Sequence, residues 1–118
     1  MTQEEKELLL MDLSARLPYG TFIREYHDNG KIKHKKLRLD ANAYAWFKNG
    51  VKVKPYLRPM SSMTEEERKE YDATFAYYGD CPCYTIKTFD FLNKKHFDYR
   101  GLIEKGLALE APKDMYVF

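Results

Sequence analysis

Two Asn-Gly dipeptides, Asn29-Gly30 and Asn49-Gly50, lie within alternating apolar and polar residues and constrain the fold more than any other feature. Asn and Gly tolerate the two consecutive positive φ angles that a type I′ turn between paired strands requires. Before the first, Phe22, Arg24 and Tyr26 alternate with Ile23, Glu25 and His27. After it comes Ile32, followed by Leu37 and Leu39 on the opposite parity. That change of phase predicts a β-bulge near Lys35-Lys36. A two-residue loop at the second dipeptide sets Trp46 opposite Val53 and Phe47 opposite Lys52, with Tyr44, Trp46, Val51 and Val53 as an inner layer. About four antiparallel strands are expected between Thr21 and Leu57, curled toward a small barrel. Pro55 and Pro59 bracket Tyr56-Leu57-Arg58, which reads as an edge strand or an extended exit from the sheet.

Helices are signalled on both sides. Thr2 with Glu5 has the spacing of a capping box, and Leu9, Leu10, Leu13 and Leu17 follow as an apolar stripe that Pro18 and Gly20 end. Thr64 with Glu67 repeats the box before Tyr71, Phe75 and Tyr78. A loop carrying Cys81-Pro82-Cys83 leads to a further helix with Ile86, Phe89, Leu92 and His96-Phe97. Asp98 reads as the N-cap of a last short helix, with Gly106 just past its end. The expected fold class is α+β. It has an N-terminal helix, a four-stranded antiparallel sheet and two or three C-terminal helices, with the 118 residues forming one domain, 1–118.

The chemistry-bearing residues are sparse. Ser61 and Ser62 have no Gly-x-Ser-x-Gly elbow, and His27, His34 and His96 stand in no triad context. The carboxylates of Glu65, Glu66 and Glu67 belong to a helix start. Cys81 and Cys83 make a single Cys-x-Cys doublet, whereas zinc sites need paired doublets. Phosphate-binding glycine loops are missing, and Asp90 and Asp98 form no acid/base pair. No catalytic residue, metal site or cofactor is expected. The Leu8–Met11 run is too short to span a bilayer, and acidic residues precede it where a secretory signal carries positive charge. Two cysteines one residue apart are a poor disulfide framework, so the expectation is a reducing, cytoplasmic location and no membrane association.

Charge is unevenly placed. Net charge is +2, yet residues 16–58 hold eleven Lys/Arg against three Asp/Glu, and both flanks are acidic. Lys31, Lys33 and Lys35 alternate along one strand face, while Lys36 and Arg38 take the other. Lys52 and Lys54 lie nearby in the sheet, with Arg58 beyond them. Cations beside Tyr26, Phe47 and Tyr56 suit phosphates and stacked bases. The competing reading is a solvated sheet face whose lysines protect an edge from aggregation and whose charge the 64–72 helix balances.

Three stretches carry a resemblance: "EEKELLLMDLSARLPYG" at the start, "KPYLRPMSSMTEEE" from Lys54, and "FLNKKHFDYRGLIEKGLALEAP" from Phe91. By these the chain resembles small uncharacterised proteins of gut bacterial genomes and of their phages and mobile elements. The resemblance covers roughly half the chain and leaves out the lysine-rich hairpin. It implies a cytosolic accessory protein, of the kind often carried by mobile DNA, and carries no functional residue over. The sequence-based expectation is a non-catalytic binding module. Nucleic acid is the first partner, through Lys31, Lys33, Lys35, Lys36, Arg38, Lys52 and Lys54. An acidic protein, or a second copy engaged through the aromatic helical half, is the alternative, and an enzyme comes third.

Overall fold

The structure is a computed structural model that describes residues 2–38 and 52–118. Its first helix, α1 (Gln3–Arg16), begins on the expected capping box. The Thr2 side chain accepts from the Glu5 amide at 3.1 Å, and the Thr2 amide donates to the Glu5 carboxylate at 2.9 Å. The buried stripe is Leu9, Asp12, Leu13 and Arg16, so an acid and a base at i, i+4 share the inner face with two leucines. Leu10 is exposed. Gly20, at φ 67°, turns the chain out of the 3₁₀ segment that follows α1.

Three strands then build most of one sheet: β1 (Phe22–Tyr26), β2 (Ile32–Lys36) and β3 (Lys52–Leu57). The fourth strand is β6 (Leu109–Glu110), which pairs parallel with β3, giving the order β2-β1-β3-β6 in a mixed, open sheet. No barrel closes among the described residues. The expected Asn49-Gly50 turn, with Tyr44, Trp46, Phe47 and Val51, lies outside those residues. Pro55 is therefore not on an edge strand. It tolerates its position because β6 pairs only beyond it, at Tyr56 and Leu57.

The helical half starts on the second capping box, Thr64 with Glu67, which opens α2 (Glu65–Asp72). This helix stops well before Tyr78. Residues from Ala76 onward instead form a hairpin of β4 (Ala76–Tyr78) and β5 (Cys81–Cys83), joined through Gly79 at φ 64°. The cysteines thus sit on a strand, not in a loop. A third box, Thr85 with Thr88, opens α3 (Ile86–Lys94), and its threonines also bond Thr74, fastening the hairpin to the helix. Asp98 does act as a cap, accepting from the Leu102 and Ile103 amides at 2.8 and 2.9 Å. What it caps is a run of turns and not the expected helix.

Two apolar clusters result. One joins α1 to the sheet through Leu9, Leu13, Ile23, Leu37, Val53, Leu57, Leu102 and Leu107. The other packs Tyr71, Leu92 and Phe97 with Met60, Met63 and Phe91. Polar groups stitch the two together. Arg16 is fully buried, binds Asp12 through two nitrogens at 2.8 and 3.0 Å, and donates to the Phe97 carbonyl at 2.6 Å. Arg100 reaches the same Asp12 at 2.9 Å. Arg58 forks onto Glu67 at 2.7 and 2.8 Å, which holds that carboxyl down to about 2.

His96 lies in this seam, 4% exposed, with Nδ1 2.9 Å from the Thr21 hydroxyl and its ring stacked on Tyr116 at 3.7 Å. Burial, with the charges of Arg16 and Arg58 added, pushes its pKa down to about 4. An unfolded histidine protonates near 6.5 and the folded one does not until about 4. The unfolded state therefore binds the extra proton across that window, and stability falls as pH is lowered through it. The loss amounts to about 3 kcal/mol, on the scale of about 1.4 kcal/mol per pKa unit. Denaturant unfolding between these two pH values will show that slope in the wild type. In His96→Asn, which keeps the positive φ of 63° and cannot titrate, this contribution will be absent, leaving only the slope that Glu67 adds toward the lower end of the window.

Candidate nucleic-acid interface

The register of β1 decides which cations meet. Tyr26 pairs with Ile32, Arg24 with His34 and Phe22 with Lys36. On the other side Arg24 pairs with Lys54 and Tyr26 with Lys52. Side chains alternate across a strand, so Phe22, Arg24, Tyr26, Ile32, His34, Lys36, Lys52, Lys54 and Tyr56 share one face. Ile23, Glu25, Lys33, Lys35, Val53, Pro55 and Leu57 share the other, where Ile23, Val53 and Leu57 pack with Leu9 and Leu13 of α1.

The turn sets this register. Asn29-Gly30 does not form a type I′ pair, because only Gly30 has positive φ, at 81°. The His27 amide donates to the Lys31 carbonyl at 3.0 Å and the Gly30 amide to the His27 carbonyl at 2.9 Å, which leaves a three-residue loop. A two-residue loop would have put Lys33 and Lys35 beside Arg24 and Tyr26. One more residue in the turn exchanges the faces. The ladder is then continuous, with no bulge at Lys35-Lys36. Leu37 shares the parity of Ile23 and is buried, while Ile32 is left exposed.

The seven expected cations are accordingly divided. Lys36, Lys52 and Lys54 stand together on the open face, joined by Arg24 and His34, which the charge pattern alone did not single out. Lys33 and Lys35 point to the α1 side, and Lys35 lies 3.1 Å from the buried carboxylate of Glu25. Lys31 sits in the turn and Arg38 beyond the end of β2, both exposed. Arg58, further along, is committed to Glu67 at the wall of a groove of about 860 Å³ that the 110–118 segment also lines.

On the open face no position carries an acid, and Arg24, Lys36, Lys52 and Lys54 make no ion pair among the described residues. Three of its cations lie over rings. Lys36 Nζ is 5.6 Å from the Phe22 centroid, Lys54 Nζ is 6.0 Å from that of Tyr26, and the Arg24 guanidinium is 5.5 Å from that of Tyr56. Arg24 Nε donates to the Tyr56 hydroxyl at 2.9 Å, and that hydroxyl lies 3.0 Å from His34 Nδ1. Hydrogen bonding to the Tyr26 and Tyr56 hydroxyls holds the Arg24 guanidinium on this face and raises its pKa further. No group of three or more metal-ligating side chains occurs among the described residues. No described helix is long and apolar enough to cross a membrane.

Tyr116 closes one end of this face. Beyond the Ile23–Pro55 pair, the Phe22 amide donates to the Tyr116 hydroxyl at 2.9 Å, and that hydroxyl donates to the Tyr56 carbonyl at 2.7 Å. The hydroxyl substitutes for the next rung between β1 and β3, and its burial pushes its pKa up to about 12. No family model, curated protein or solved structure matches this chain. Replacing Tyr116 with Phe will leave both backbone groups without a partner. The expected cost is about 1–3 kcal/mol in unfolding free energy, with faster hydrogen exchange at the Phe22 amide.

Proposed function

We propose that this protein is a non-catalytic module that binds nucleic acid through the open face of its sheet. The observation that carries the reading is the composition of that face. Four cations and a histidine surround three aromatic rings, with no carboxylate among them. Phosphates are drawn to unpaired cations because contact releases condensed counterions, and rings give bases a surface to stack on. If Arg24, Lys36, Lys52 and Lys54 each meet a phosphate, the logarithm of affinity falls against that of salt with a slope of about −3. Replacing Lys52 and Lys54 with Ala will make that slope shallower by roughly 1.5, whereas Lys33→Ala, on the opposite face, will leave it unchanged. Binding that ignores salt, or none at low ionic strength, removes the reading.

A second reading has its own support in the helical half. Tyr84 and Phe89 pack edge to face at 5.4 Å while remaining 46% and 41% exposed, beside Ile86 at 80%. Tyr77 and Tyr78 of the β4–β5 hairpin are also exposed. Exposed rings gathered in this way suit a protein surface, including that of a second copy. Under that reading light scattering will report a mass that rises with concentration and returns to the monomer value in Tyr84→Ser/Phe89→Ser. A constant monomer mass would exclude self-association.

A further inference from the structure

We infer that the nucleic acid this face takes is single-stranded, with unpaired bases stacking on Phe22 and Tyr26 while Arg24, Lys36, Lys52 and Lys54 hold the phosphates. This rests on the nucleic-acid reading above. Of the three rings on the face, Tyr56 is buried and its hydroxyl is engaged by Arg24 and His34. Phe22 and Tyr26 are half-buried and stand on the central strand four residues apart, about 13 Å along β1 at the usual rise. Each has a lysine ammonium over its ring, Lys36 and Lys54 in turn. A phosphate meeting either ammonium brings its own base within reach of the neighbouring ring.

A duplex cannot use that arrangement. Its bases are stacked on one another and offer edges, not faces. Its major groove admits an α-helix or a two-stranded ribbon. Here the rings lie on β1, between β2 and β3, so the surface that carries them is wider than a two-stranded ribbon. Lysines from the flanking strands would meet a duplex backbone before either ring reached a groove. A single strand laid along β1 satisfies both sets of side chains at once.

Fluorescence anisotropy of the full chain tests this, with labelled oligothymidylate set against a hairpin duplex of equal phosphate number at one salt concentration. The single strand is expected to bind about tenfold more tightly. Tyr26→Leu keeps apolar volume and removes the π face, and it should weaken single-strand binding about tenfold while leaving the duplex unaffected. Tyr26→Phe should restore single-strand affinity, and Lys54→Gln should weaken both ligands alike. Duplex binding as tight as single-strand binding, with Tyr26→Leu silent, overturns the inference and leaves the broader nucleic-acid reading in place. Failure of both ligands to bind at low ionic strength overturns both.

Discussion

The buried pair of Asp12 and Arg16 ties the two halves of this protein together. It sits on the inner face of α1, where a leucine stripe alone would have covered the sheet and nothing more. Arg16 instead reaches the Phe97 carbonyl, the backbone of the second cluster's fully buried phenylalanine, while Arg100 approaches Asp12 from the turn beyond. An isolated charge in such a place is severely penalised, and even a matched pair stabilises little against an apolar replacement. Its contribution is directional. Two planar, hydrogen-bonded groups admit one orientation of α1 against the 96–100 segment, whereas apolar contacts would tolerate several. One nitrogen of Arg16 has no acceptor among the described residues, a residual cost that the geometry accepts.

That orientation determines which side of the sheet is open. With α1 covering the face of Ile23 and Val53, Arg24 and Tyr26 lie half-exposed on the opposite face, and among the described residues Tyr116 caps its end. The described acids are placed elsewhere. Glu25 is turned inward against Lys35, Glu67 is locked to Arg58, and Glu65 and Glu66 occupy the first turn of α2. Charge is segregated by the strand pleat as much as by sequence position. A net charge of +2 therefore understates the positive character of this one face.

Capping boxes were the most legible part of the sequence, because each is closed by two side chains three residues apart and needs nothing from the rest of the fold. Thr2–Glu5 and Thr64–Glu67 form as their spacing implies. Thr85–Thr88 was not recognisable, since its third position is a threonine instead of the usual Glu or Gln. What depended on long-range pairing was harder to see. The parallel partner of β3 is a two-residue strand more than fifty positions away, too short to leave a periodic signal. Tyr78 continued an apolar spacing of four and three, but its backbone went to a hairpin whose only marker was Gly79-Asp80. At the candidate site the cation-rich segment was visible and its division between faces was not. A turn of two residues and one of three put opposite faces of the returning strand beside β1, and that choice decides which lysines join Arg24.

Chemical-shift mapping by NMR locates the binding surface without altering a residue. When a short oligonucleotide is titrated into the full chain, the resonances of Arg24, Tyr26, Lys36, Lys52 and Lys54 should move together and saturate with one affinity. Those of Glu25, Lys33 and Lys35 should stay where they are. Shifts centred on Tyr84 and Phe89, or spread equally over both faces of the sheet, would contradict the assignment of function to the open face.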